Sequence, residues 1–169
     1  MRAAFALFLP LVLAACAAAP TTPQVPANLQ PPAGQLLQLE ALARGWQIYE
    51  CQAKADGSGT AWVFKAPEAT LTDRAGQALG KHYAGPTWEG PDGSTVVGEV
   101  KARDPGPDAT AIPWLLLAAK SNGGSGVFST AKSIQRVATV GGVAPAAESC
   151  TSAGQVLRVS YTATYYFYR

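Results

Sequence analysis

Residues 156–168 alternate with a period of two: Leu157, Val159, Tyr161, Ala163, Tyr165 and Phe167 interleave with Arg158, Ser160, Thr162, Thr164 and Tyr166. That period assigns one set to each face of a strand, with apolar residues toward a core and Thr and Tyr on a pleated outer surface. Turn signals cut the rest of the chain into strand-length pieces: Asp56-Gly57-Ser58-Gly59, residues 73–76, Pro91-Asp92-Gly93, residues 104–108 and 122–126, Gly141-Gly142, and residues 152–154. Between them stand strand candidates at 46–51, 60–66, 81–89, 95–102 and 133–140. The apolar run at 112–119 also reads as a strand, beginning at Pro113. Residues 35–43 contain helix-favouring Leu, Glu, Gln and Ala, yet Leu37, Leu39 and Ala41 alternate. The reading there is a strand that turns at Arg44-Gly45 into 46–51 as a hairpin. The expected fold is all-β with little helix, an antiparallel sandwich or small barrel of about eight or nine strands over residues 34–169.

The N-terminus follows other rules. Residues 1–15 are apolar except Arg2 and Pro10. Arg2 supplies the positive start of a signal peptide, and the apolar run after it is shorter than the roughly 20 residues of a membrane span. The run ends in Leu13-Ala14-Ala15-Cys16, which resembles the box of bacterial lipoproteins in which the Cys becomes the first mature residue and is acylated. Several acyl chains hold a protein at a bilayer far better than one. The plainer alternative is secretion with an unmodified Cys16. Ala17, not Asp, follows, and the resemblance then implies the outer membrane. Residues 16–33 carry Pro20, Pro23, Pro26, Pro31 and Pro32 and no charge. They are expected to form an extended tether, reaching about 50 Å at roughly 3.1 Å per residue, with the folded part starting near Gly34. The expected location is the cell envelope, lipid-anchored through Cys16 and facing the periplasm or the cell surface, so the membrane is a partner.

Of three Cys, Cys51 and Cys150 remain once Cys16 is the anchor. An oxidising compartment makes one disulfide between them the expectation. A loop of about 100 residues closed this way contributes up to about 4.7 kcal/mol on the chain-entropy argument. No Cys-x-x-Cys points to thioredoxin-like redox chemistry. The 13 Lys and Arg nearly balance 11 Asp and Glu, and with no basic stripe a nucleic-acid partner is not expected. A single His and three Cys exclude most single-chain metal clusters, so neither metal nor cofactor is expected.

A family resemblance covers the whole folded part. Gly45-Trp46-Gln47-Ile48-Tyr49-Glu50-Cys51, Trp62, Phe64, Ala66-Pro67-Glu68-Ala69, Leu71, Asp73 and Gly76 carry its first half. Gly80-Lys81-His82-Tyr83-Ala84-Gly85-Pro86-Thr87-Trp88, Asp92-Gly93-Ser94 and Val96 continue it. Ile112-Pro113-Trp114-Leu115-Leu116-Leu117, Ile134-Gln135-Arg136-Val137, Thr139, Gly141-Gly142, Cys150 and the stretch from Tyr161 to Tyr168 complete it. On these residues the chain resembles the secreted bacterial and fungal domain of unknown function 3455. The resemblance implies an extracytoplasmic all-β domain with an internal disulfide, and it brings no catalytic residues.

Candidate chemistry centres on residues 80–88, which hold the only His, His82, with Tyr83 beside it and a Gly85-Pro86 turn leading to Trp88. An imidazole there could serve as general base or hydrogen-bonding clamp, with Glu68, Asp73, Glu89 or Asp92 as acid partner. The plainer alternative is a structural ring bridging backbone groups at a turn. Trp46, Trp62, Trp88 and Trp114 form a second constellation, a platform for a glycan or a small apolar ligand, or core filling. Trp62 and Trp114 sit among apolar neighbours and are read as core; Trp88, with Tyr83 and His82, is the ligand-binding candidate. There is no Gly-x-Ser-x-Gly elbow and no phosphate loop, and nothing selects a glycosidase-like pair such as Glu50 with Glu99. The expected function is a lipid-tethered, non-catalytic ligand-binding or envelope-structural protein. The alternative is a small-ligand hydrolase or isomerase using His82 as general acid/base.

Overall fold

The computed structural model describes residues 20–169. The leader, Cys16 and residues 17–19 of the expected tether lie outside them. Eight strands follow in chain order: β1 Leu37–Ala53, β2 Thr60–Thr72, β3 Ala78–Tyr83, β4 Thr87–Glu89, β5 Thr95–Asp104, β6 Trp114–Gly123, β7 Ser133–Gly141 and β8 Val156–Tyr168. Each pairs antiparallel with the next, and β8 pairs with β1, so the sheet closes into a barrel. The all-β expectation holds, and closure selects the barrel over the sandwich.

Eight strands arise by a different division from the expected one. The expected hairpin at Arg44-Gly45 is absent, and residues 37–53 are one strand that crosses the whole wall. Gly45 is there for proximity instead of turning: a Cβ on it would lie 2.0 Å from the Glu68 carbonyl oxygen and 2.5 Å from the Ala69 Cα. In turn, the expected strand at 81–89 is two strands, β3 and β4, joined by Ala84, Gly85 and Pro86. Thr87 Oγ1 donates to the Ala84 carbonyl across that turn at 2.8 Å.

A meander alternates ends, so the connections after β1, β3, β5 and β7 gather at one rim and the others gather opposite. The second rim is closed. Phe128, fully buried in the β6–β7 connection, packs edge-on to Phe167 with ring centroids 4.9 Å apart. Asn122 Nδ2 donates to the Phe128 and Ala131 carbonyls, while Ser94 Oγ accepts from the Phe128 amide. The lumen is filled asymmetrically. Small residues on β1, β2 and β8 (Ala41, Ala43, Ala69, Ala163) share the core with large ones on β4, β6 and β7 (Trp88, Leu117, Ile134), which is how a tapered barrel reaches interior density.

β8 is buried on both faces near its end. Tyr161, Ala163, Tyr165 and Phe167 point inward as the alternation requires, but Tyr166 and Tyr168 are buried outside, with Val137. What covers them is the Pro-rich stretch. Val25 packs on that cluster, Leu29 is fully buried in a single 3-10 turn, Ala27–Leu29, and its carbonyl accepts from Gln135 Nε2 at 2.7 Å. Gln135 Oε1 in turn accepts from the Tyr168 hydroxyl, and Asn28 Nδ2 donates to the Arg103 carbonyl. The folded part thus reaches back past Gly34 to about Val25, and this strap runs along the outer wall. The disulfide joins Cys51 to Cys150 as expected, with Cα atoms 5.3 Å apart; it pins the β7–β8 connection to the end of β1.

Candidate functional site

The open rim leads into a cavity of about 420 Å3 within the lumen, a size typical of small-molecule sites. Its floor is the His82–Trp88 pair. β3 and β4 set these residues directly opposite each other, and their rings stack at 4.4 Å between centroids with planes 15° apart. Room for the indole comes from Gly98 on β5, where a Cβ would lie 2.9 Å from the Trp88 ring. Tyr165 stands beside both, at 5.1 Å from His82 and 5.3 Å from Trp88. Val100, Ile112, Leu115 and Leu117 form apolar walls, and Gln47, Tyr49, Arg103 and Arg136 add polar groups.

His82 is 2% exposed, and its Nδ1–H donates to the Thr87 carbonyl at 2.8 Å. A carbonyl only accepts, so the proton sits on Nδ1 and Nε2 is left as an acceptor. Burial lowers the imidazole pKa to about 3, with the Thr87 bond opposing the shift and the Arg136 charge adding to it. The ring is therefore neutral at pH 7. Burial also pushes the Tyr165 phenol up, with Arg136 working against it. Among the described residues, four buried lumenal polar atoms close no hydrogen bond of normal geometry: Gln47 Nε2, Trp88 Nε1 and the hydroxyls of Tyr161 and Tyr165. Tyr161 faces Gln47 and Tyr165 without closing a bond of normal geometry.

The structure brings His82 and Trp88 together and leaves Tyr83 out. Tyr83 alternates to the outer face, where its hydroxyl donates to Glu89 at 2.7 Å and Lys81 lies over its ring. The proposed acid partners are also engaged elsewhere. Glu68 takes a two-pronged contact from Arg158, Asp73 caps its own turn at the Ala75 and Gln77 amides, Glu89 meets Tyr83 and Lys81, and Asp92 accepts from Ser94 and Val127. Glu50 and Glu99 each pair with a lysine, Lys65 and Lys101. No Asp or Glu is among the described residues lining the cavity.

The tryptophan assignments change places. Trp88, at 1% exposure, is the one in the lumen. Trp62 is only partly buried and donates to Ser149 Oγ. Trp114 packs outside, against the cluster under the strap. Trp46 is 42% exposed, with the Arg158 guanidinium 4.7 Å above its ring. Flanking apolar residues misled the sequence reading for Trp62 and Trp114, because on a strand the neighbours in sequence face the other way.

Arg136 and Gln47 were not singled out from the sequence. Arg136 alternates in phase with Ile134, and Gln47 with Tyr49 and Cys51, so both are polar residues on inward positions of apolar strands. Among the described residues no group of three His, Cys, Asp or Glu converges as a metal site. The family model described as protein of unknown function (DUF3455) matches residues 32–169. No curated protein and no solved structure matches the chain.

Proposed function

Because the chain belongs to the DUF3455 family, whose description assigns no activity, we propose a role from the site alone: the domain binds a small, largely apolar ligand inside the barrel without transforming it. One observation carries this reading. A cavity of about 420 Å3 opens at one rim of an otherwise filled barrel and presents buried polar groups that close no hydrogen bond of normal geometry among the described residues, Gln47 Nε2, Trp88 Nε1 and the Tyr165 hydroxyl. Unpaired buried polar atoms cost roughly 1–3 kcal/mol each, a cost a ligand relieves. Eight-stranded barrels have room for one such molecule.

The envelope setting belongs to the same proposal. Cys16 carries lipid and anchors the domain, and the strap and the residues before it link barrel to outer membrane. The support is the leader, the Leu13-Ala14-Ala15-Cys16 box and Ala17. A glycan is the weaker ligand choice, since Trp88 spends one face on His82 and Trp46 is covered by Arg158. The hydrolase or isomerase reading loses support too. An imidazole with a pKa of about 3 is a poor proton acceptor at neutral pH, and no carboxylate orients it.

The test is binding of 1-aminoanthracene, a neutral apolar fluorophore, to the soluble domain. Enhanced, saturable fluorescence is expected, and it should vanish in Val100→Trp, which fills the cavity. Equal enhancement in both proteins would place the probe on the surface and sink the lumenal site.

A further inference from the structure

The lumen is one-sided in its chemistry. Arg136 lines it with Nε and Nη2 held on the Pro113 carbonyl at 3.2 and 2.8 Å. Beyond Pro113 the guanidinium faces the Tyr165 hydroxyl, Nη1 closes no hydrogen bond of normal geometry among the described residues, and none of their carboxylates lies within ion-pair reach of the side chain. Lys65, whose ammonium also lines the cavity, already meets Glu50 at 3.1 Å. Arg103 stands at the exposed rim. Of the cavity atoms buried without a partner, Gln47 Nε2 and Trp88 Nε1 can only donate, and the Tyr165 hydroxyl can donate as well. The lining thus offers a fixed cation and a surplus of donors, set in apolar walls. Arg136 is half-buried, and a charge drawn partly out of water is costly unless it is paired.

We propose that the ligand of this lumen carries a carboxylate that docks on the Arg136 guanidinium, with its apolar body against Val100, Leu115 and Leu117. The proposal rests on the lumen being a ligand site. It adds the ligand's charge and names Arg136 as the specificity-determining residue. With its Nε side on Pro113, the guanidinium keeps the end-on fork of Nη1 and the second Nη2 hydrogen, whose planar geometry matches the two oxygens of a carboxylate. A single negative charge is what one lumenal guanidinium balances, whereas a dianion would leave charge uncompensated among Leu and Val. Arg103 at the rim favours entry of the same sign of ligand.

The experiment is calorimetric titration at pH 7.5 with three matched pairs: naphthyl-2-acetate and its amide, phenylpropionate and its amide, decanoate and decanamide. At least one acid should bind about tenfold or more tighter than its amide, and Arg136→Gln should erase that preference while keeping 1-aminoanthracene binding. Arg136→Lys, which keeps the charge but loses the fork, should retain part of it. If Arg136→Gln does not fold, the Lys variant decides, by a reduced acid-to-amide ratio. No preference in any pair, with 1-aminoanthracene still bound, overturns the carboxylate and leaves the lumenal site standing. Loss of 1-aminoanthracene binding in the unmodified protein overturns both.

Discussion

His82 stays neutral in the folded protein down to about pH 3, because burial penalises the imidazolium more than the Thr87 carbonyl favours it. In the unfolded chain the same ring takes up its proton near its ordinary value of 6.5. Between these two values the unfolded state binds more protons, so stability is fully present above pH 6.5 and falls as pH drops through the window. From pH 6.5 to 5 the loss is about 2 kcal/mol, at about 1.4 kcal/mol per unit. Neighbours hold the carboxyls of Glu40 and Glu68 below their ordinary values, so their contribution falls lower. Thermal denaturation should thus show Tm falling by several degrees between pH 7 and 5, with His82→Gln nearly flat over that interval. An equal slope in the variant would show that His82 is not the group responsible. Much of this residue was legible in the sequence, which offered a structural ring bonded to backbone at a turn as one of two readings. Arg136 was harder. Its phase with Ile134 was visible, but Ser133, Gln135 and Val137 on the other face looked just as core-like, since that face is buried too, under the strap.

At the scale of elements, β1 shows how a local signal can mislead. Arg44-Gly45 reads as a turn, yet Gly45 continues a strand and gives the β2 backbone room at Glu68 and Ala69. Gly45→Ala should therefore destabilise by about 2 kcal/mol or more, beyond the cost of Gly57→Ala, where nothing lies within 4 Å and only the left-handed φ of 72° opposes a side chain, at about 1 kcal/mol. Urea denaturation of the two alanine variants checks the contrast; equal midpoints would restore the turn reading. The strap was half legible. Its prolines announce extended backbone, but not where that backbone lies. The missing signal was on the far side of the contact: Tyr166 and Tyr168 occupy the outward set of β8 and leave a large apolar surface that water would otherwise meet. Proline-rich backbone suits the place, since it offers carbonyls while carrying fewer N–H groups that need acceptors, and Gln135 donates to one of those carbonyls, that of Leu29.

At the scale of the whole molecule, the proposed anchor and the observed bridge divide three cysteines between two jobs. Intact-mass measurement of the protein purified from membranes should show diacylglycerol and acyl mass on Cys16 and no thiol free to alkylate. A protein beginning at another residue, or an unmodified Cys16, would remove the anchor from the proposal. Closure of the barrel, by contrast, was beyond the reach of the sequence. Each hairpin is written in a local turn, but nothing local says that residue 37 will meet residue 168. That seam also sets an order in time. β1 and β8 share an edge along nearly the full length of β8, from Glu50 opposite Val156 to Leu37 opposite Tyr168, so the ring cannot close before β8 has been made. Six of the eight pairings can form before β8 has been delivered; the two that β8 makes, with β7 and with β1, wait for it. Until then β1, the longest strand, is an open edge to which another chain can add, and the lumen has no wall on that side. The lumen proposed to hold the ligand is therefore complete only once β8 closes the ring, and the same step removes the edge on which another chain could pair.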